Sequence, residues 1–322
     1  MKSNIYLNLL IISIFCAVSC QKSSTEIVLT PIESGTDNDL KAVCIQDDNH
    51  ISAVGGDQWT YGVWLQSKDG GTTFTKKDGE KKALNAVLFS PDGAQYAIGT
   101  NGVLMRKIIN PDTIGPCMYP LYSVLHGLAI RNDSVCFMVG GEGFQGGSIS
   151  KYIHRGYWNR DGLSVPFPQE LRDITYANDT TLIAVGYGLV LRSTDSGKTW
   201  ETLPIKNDFF FSIHFPTDRV GYIVGYHGSI LKSVDAGATW ALLRDGDKLT
   251  VSDEPFRRVF FKNENTGYIV GDKGLFWRTT DGGTHWATID SESKKTFFDV
   301  KVTDKGLGLV VGEAGTVLRF RD

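Results

Sequence analysis

One phrase recurs seven times along the 322 residues. Its clearest copies are GYIVGYHGSILKSVDAGATWALL, from Gly221 to Leu243, and GYIVGDKGLFWRTTDGGTHWATI, from Gly267 to Ile289. A short apolar run closing on glycine marks each copy, at Gly55, Gly99, Gly140, Gly186, Gly225, Gly271 and Gly312, with spacings of 39 to 46 residues. A period near forty residues, with several short strands in each unit, predicts a β-propeller. One such unit cannot bury its own apolar faces, whereas units stacked in a ring can.

The fifth unit shows what one copy encodes. Phe211 to Phe215 alternates as a first strand, Gly221 to Gly225 is a second and Ser229 to Lys232 a third; Thr239 to Leu243 is the fourth. Four short β-rich runs separated by turn residues predict a four-stranded antiparallel blade, and the fold class is all-β: a seven-bladed β-propeller. The last unit offers FFDVKV, GLGLVVG and TVLRF, then ends at Asp322 with no fourth run. The strand-like TEIVLTPI, residues 25–32, is expected to supply it and close the last blade from the N-terminus. Closure of this kind removes the open edge that a broken ring would present. The chain then divides into a signal peptide (1–19), a lipidated N-terminus with tether and closing strand (20–38), and the propeller (39–322).

The turn from third to fourth strand is the sharpest local motif. It reads Ser67, Asp69, Gly71, Thr73, Phe74 in the first unit and Ser193, Asp195, Gly197, Thr199, Trp200 in the fourth. The fifth has Ser233, Asp235, Gly237, Thr239, Trp240, and the sixth Thr279, Asp281, Gly283, His285, Trp286. The pattern resembles the Asp-box, S-x-D-x-G-x-T-W, of sialidases and other propellers. Side-chain oxygens at the first and third positions can accept backbone N–H groups within the turn, and glycine permits the positive φ that closes it. The aromatic is expected to pack between blades. Each box offers one carboxylate where a calcium loop converges several oxygens, so the turn is read as structural and no metal is expected. Units two and three lack the box and carry longer stretches, INPDTIGPCMYP and YIHRGYWNRDGLSVPFP, expected to be irregular.

The N-terminus carries a second message. Lys2 precedes an uncharged interval from Ser3 to Gln21 with an apolar run, Leu9 to Val18, ending Ala17-Val18-Ser19-Cys20. A basic start, an apolar run and small residues before a cleavage point describe an export signal. With cysteine at the cleavage point it resembles a bacterial lipoprotein signal, which implies lipidation of Cys20 and attachment to the cell envelope, with the outer membrane favoured. Cys44, Cys117 and Cys136 then remain, so at most one disulfide can form. The six histidines are scattered singly and no CxxC occurs. No cofactor is expected. A net charge of −3 and a pI of about 6.1 give no basic footprint for nucleic acid, and a monomer is expected.

The Asp-boxes mark one face of the ring. The opposite face collects the turns after each repeated glycine and the segments that enter each first strand. The turns contribute Asn101, Glu142, Tyr187, Tyr226, His227, Asp272, Lys273 and Glu313; the entering segments contribute Arg172, Phe210, Arg257, Arg258 and Phe298. Aromatics, arginines and a few acids suit a peptide tail or a glycan. The longest entering segment, Arg244 to Arg258, is the first place to look for a site.

Through units such as GYIVGYHGSILKSVDAGATW, residues 38–322 resemble the family of photosystem II assembly and stability factors. That resemblance implies a non-enzymatic propeller that binds a membrane-protein partner, partly through arginines on one face; Arg172, Arg257 and Arg258 occupy matching places. The competing class is a glycoside hydrolase. It would need two suitably spaced carboxylates, for which Asp272 and Glu313 are the candidates.

Overall fold

The seven units fold as seven four-stranded antiparallel sheets. The computed structural model describes residues 27–57, 61–77, 82–91, 93–108, 113–118, 124–132, 135–154, 158–205, 208–247 and 255–322, without the side chains of 108, 113–118, 132, 154 and 158–165. The export signal and Cys20 lie outside the described residues, as do residues 248–254 of the 244–258 segment. The first strands of the blades are Leu40–Ile45, Leu84–Phe89, Leu125–Asn132, Leu171–Tyr176, Phe210–His214, Phe256–Phe261 and Phe297–Val302. Each neighbours the next, and the last returns to the first, so they wall a central channel.

The second strands explain the repeated phrase. Leu182–Gly186, Gly221–Gly225 and Gly267–Gly271 are buried at every position, because neighbouring blades cover both faces. A strand buried on both sides reads as a continuous apolar run rather than an alternation. The apolar clusters fill the gaps between blades. Leu40, Ile51 and Val63 of blade one, for example, pack against Leu307, Leu309 and Val311 of blade seven.

Closure occurs as the sequence predicts. Thr30 and Pro31 pair with Arg319 and Leu318 as the fourth strand of blade seven, and the Ile32 N–H bonds the Val317 carbonyl at 2.9 Å. Blades two and three differ from expectation. Blade three completes itself with a long hairpin, Gln145–His154 against Trp158–Gln169, and blade two with Thr113–Met118. The stretches that replace the box are therefore paired strands, because an antiparallel hairpin can lengthen outward without disturbing its neighbours.

All four Asp-boxes adopt one hydrogen-bond scheme. In the first, Asp69 Oδ1 accepts the Thr72 and Thr73 N–H groups at 3.1 and 3.0 Å, and Oδ2 accepts the Thr73 hydroxyl at 2.6 Å. Ser67 Oγ donates to Asp69 at 2.7 Å and accepts the Gly71 N–H at 2.8 Å. Trp200, Trp240 and Trp286 are half-buried, each packed into the gap toward the preceding blade.

These bonds favour the ionised carboxylate. The Thr73 hydroxyl and N–H, with the Ser67 hydroxyl, hold Asp69 down at about 2. The N–H and ring of His285 do the same for Asp281, at about 2, and the N–H and hydroxyl of Thr199 hold Asp195 far below the usual range. At Asp235 slight burial acts upward, but the hydroxyl and N–H of Thr239 prevail and hold it at about 2. A carboxylate with a depressed folded pKa contributes stability that is full above its unfolded value, about 3.9, and lost as pH falls through the folded one. The melting temperature of the wild type should therefore drop between about pH 4 and pH 2. With all four aspartates replaced by asparagine that drop should shrink; an identical acid profile would show that the boxes contribute nothing in that window.

Candidate functional site

The repeated glycines build the mouth of the channel. Gly55, Gly99, Gly186 and Gly271 lie opposite Leu40, Leu84, Leu171 and Phe256, the first residues of their inner strands, and the other three blades repeat the pairing. A Cβ at Gly55 would stand 1.8 Å from the Asp39 carbonyl oxygen, and one at Gly271 would stand 2.1 Å from that of Pro255. Only glycine lets the incoming connection cross so closely. The residue after each glycine then donates its N–H to the carbonyl just before the inner strand, from Gly56 to Asp39 at 2.9 Å round to Glu313 and Thr296 at 2.8 Å.

Immediately beyond that crossing, every inner strand slips register by one residue. A bulge of this kind re-aims the extra side chain. The seven bulged residues are Lys41, Asn85, His126, Arg172, Phe211, Arg257 and Phe298, and all line one cavity of about 550 Å³. The device is thus written into the fold, while the residue displayed is free to vary from blade to blade.

Two arginines and an aromatic dominate one side. The Arg172 and Arg257 guanidiniums lie 5.3 and 4.9 Å from the centre of the Phe211 ring. Arg257 forks onto Asp272 with Nε at 2.7 Å and Nη2 at 2.9 Å. Arg172 pairs with Glu170 at 2.8 Å, and His126 Nε2 meets the same carboxylate oxygen at 2.8 Å. Burial pulls the Arg172 pKa down; Glu170 opposes that and the charge of Arg257 adds to it. Burial also lowers His126 despite Glu170, which keeps the ring neutral at pH 7. Across the cavity, Lys41 Nζ sits 3.7 Å over the Phe298 ring and 2.7 Å from Asp39.

Arg258 turns away from its neighbour. It donates Nη1 to Asp173 at 2.9 Å, and its Nε lies 3.1 Å from Asp299, close enough for charge pairing but off the hydrogen-bond line. These three side chains join blades four, six and seven at the waist of the channel. Below them a cavity of about 310 Å³ is lined by His214, Lys301 and Cys44 among others. Burial, reinforced by Lys301 and Arg258, pushes His214 down to about 3, and its Nδ1 accepts the Phe261 N–H at 3.1 Å. Cys44 and Cys136 are buried free thiols, and the side chain of Cys117 is outside the described residues. Among the described residues no three His, Cys, Asp or Glu side chains come together as a metal site.

An aromatic row runs outward from the mouth. Phe211 lies 5.9 Å from Tyr226, Tyr226 6.5 Å from Phe209, and Phe209 is stacked on Tyr187 at 3.7 Å. Phe144 follows at 4.8 Å. His227 also packs on Phe209, at 5.2 Å. Buried Asp208 accepts the N–H groups of Phe209, His227 and Ser229, which fixes the turn presenting Tyr226 and His227.

Of the residues singled out in the sequence, Arg172, Arg257 and Phe298 line the mouth, and Tyr187, Tyr226 and His227 form the row. Asp272 anchors Arg257. Asn101, Glu142, Lys273 and Glu313 are exposed outside the cavity lining, and the Glu313 carboxylate accepts the Thr296 N–H at 3.0 Å. Phe210 is buried between blades while Phe211 takes the mouth position. Sequence reasoning missed Lys41, Asn85, His126, Phe211, Phe209, Phe144 and Glu170. The first four share one signal, the second position of each inner strand.

This is a seven-bladed propeller whose mouth gathers arginines and aromatics on one side and Lys41 with Asp37, Asp39 and Asp57 elsewhere in its lining. Residues 202–296, which include blades five and six, match the family model described as Photosynthesis system II assembly factor YCF48. The fold is similar to that of YCF48 from Cyanidioschyzon merolae, at a TM-score of 0.68 and 16% identity over 91% of this chain and 98% of that one. It is equally similar to other propellers: U3-55K at 0.71 and 9% identity, covering 91% and 98%, and the WD40 domain of Doa1 at 0.68 and 13%, covering 92% and 98%. No curated protein matches the sequence. The family match and the ring together support a photosystem II assembly factor-like β-propeller.

Proposed function

We propose that the chain is a non-enzymatic scaffold, anchored through lipid on Cys20 to the bacterial envelope, that holds a peptide or protein partner at the channel mouth during assembly of a membrane or envelope complex. The observation that carries this reading is the pair Arg172 and Arg257 flanking Phe211 in one open cavity. Asp272 takes one N–H each from Nε and Nη2 of Arg257, so both N–H groups of Nη1 and the second of Nη2 are left as donors toward a ligand. The family matched over blades five and six is named for photosystem II assembly, which supports a partner of the same kind. The hydrolase alternative is weaker here, because Asp272 is engaged by Arg257 and Glu313 by the Thr296 N–H.

The test is capture from detergent-solubilised membranes, comparing wild type with Arg172→Ala/Arg257→Ala. The double variant should lose about 10-fold or more of a specific partner, since truncating charged groups at a binding centre costs at least about 1–2 kcal/mol. Identical capture would sink the arginine site. In the same experiment Cys20→Ser should leave the membrane fraction; retention there would overturn the lipid anchor.

A further inference from the structure

The mouth accounts for Arg172, Arg257 and Phe211, but the aromatic row beyond them is left without a role. We propose that this row is a second, apolar subsite, which takes an aromatic or branched apolar side chain of an extended acidic peptide whose carboxylate lies against Arg172 and Arg257. The inference rests on the reading of the mouth as a peptide site and adds what that peptide must contain.

Three observations support it. The row is continuous with the mouth: Phe211 belongs to both, and each aromatic step to Phe144 is between 3.7 and 6.5 Å. Its far end is open, since Phe144 is 57% exposed. Phe144 is also held in the left-handed backbone region at φ 69°, a conformation that costs a residue with a Cβ. Its N–H is fixed at 2.9 Å by Glu170, the same carboxylate that holds Arg172 and His126. One buried acid thus sets the position of both the apolar end and the cationic end.

Charge selects the peptide's sign. Two guanidiniums face each other across Phe211, and the charge of Arg257 disfavours that of Arg172. An incoming carboxylate relieves that repulsion. Glu170 reaches Arg172 at 2.8 Å and the Phe144 N–H at 2.9 Å, so at about 3.3 Å per extended residue the apolar side chain falls about two to four residues from the carboxylate.

The test uses fluorescein-labelled Gly/Ser decapeptides with an Asp pair at one end and a single Phe scanned along the rest. Binding to the full chain in detergent is read by anisotropy. Wild type should prefer Phe about two to four residues from the Asp pair by about 10-fold over the Phe-free peptide. Phe144→Ala, at an exposed position that leaves the core intact, should erase the preference while leaving the Phe-free peptide unchanged. Arg172→Ala should weaken both peptides alike, and 0.5 M NaCl should weaken both without removing the preference. Equal binding of the Phe-bearing and Phe-free peptides, or a preference that survives Phe144→Ala, overturns the subsite and leaves the mouth standing. Failure of every acidic peptide to bind wild type overturns the reading of the mouth and this inference with it.

Discussion

Arg258→Ala is expected to lower the melting temperature by about 5–10 °C. Asp173 and Asp299 are 8% and 2% exposed, and Arg258 pairs with both at 2.9 and 3.1 Å, while Lys301 reaches Asp299 only at 3.8 Å and acts on Asp173 from farther off. Truncating one member of a buried ion cluster costs about 3–5 kcal/mol, because the remaining charges stay buried, here offset only in part by Lys301. Each kcal/mol is worth about 1.5–2 °C in a ring of this length, since the unfolding entropy grows with the number of residues. The two aspartates cannot turn outward to recover, since Asp173 accepts the Ile213 N–H at 3.1 Å and Asp299 the Val43 N–H at 3.0 Å. Burial already pushes the Asp173 pKa up, with Arg258 the first influence pulling it down. Without Arg258 it rises further above the unfolded value, so the folded variant binds protons that the unfolded chain does not. The deficit against wild type should therefore be greatest near neutral pH and shrink toward about pH 4. Arg258→Met combined with Asp173→Asn and Asp299→Asn should recover only part of the loss. Each asparagine oxygen still accepts the Ile213 or Val43 N–H, while its NH2 group meets the Ile174 or Val300 N–H that the second carboxylate oxygen accepted. A thermal scan in which Arg258→Ala melts with wild type at pH 7 would remove the waist cluster from the list of what holds the ring.

That one residue carries the largest stability effect, while its neighbour Arg257 faces the ligand, shows where the sequence stops being legible. Ring, blade number, strand count and closure follow from the repeated phrase and from the strand-like run at residues 25–32. They are legible because the apolar-Gly run is a requirement of packing: the glycine must admit a crossing backbone in six blades and the Asp208 side chain in blade five. The site depends on the same crossing, but its consequence is a bulge, and a one-residue slip exchanges which side chains are buried and which are displayed. Hence Phe210, expected at the open face, is in the core, and Phe211 is at the mouth. Alternation alone could not separate Arg257 from Arg258. Phe144 and Glu170 were beyond reach for another reason. They meet through a hydrogen bond across 26 positions, at the tip of a hairpin whose unit had lost the expected turn.

The drifted units now read differently as well. Blade three gives up the compact Asp-box and gains a longer outer hairpin, which turns on the face away from the mouth, while the separate turn between its second and third strands carries Phe144 to the rim. Blades five and six keep both the box and the family match. Repetition maintains the frame, and the positions that repetition leaves free make the site.

Removal of residues 1–33 is expected to cost about 2–4.5 kcal/mol relative to a chain that begins at Gln21, or about 3–9 °C in melting temperature. Three half-buried aliphatic side chains leave with the segment. Ile27 and Leu29 pack against the cluster of Phe276, Val310 and Leu318, and Ile32 against that of Leu40 and Val317. Full burial of such a side chain is worth about 1.5–3 kcal/mol, and half of that for each gives the estimate as an upper figure. The Thr30–Pro31 pairing with Leu318 and Arg319 goes too, and Val317–Arg321 becomes an open edge with unpaired N–H and C=O groups. Native closure blunts that edge in two ways. The covering strand is only two residues long, and Pro31 has no N–H to offer a further strand. The truncated chain should therefore self-associate at concentrations where the longer one stays monomeric, as sedimentation velocity would show. Replacing Leu29 by Asp in the longer chain should reproduce part of the thermal loss without the open edge. Equal melting of the two chains would mean that the ring is held shut by the contacts of blades one and seven alone, with the N-terminal strand merely resting on its rim.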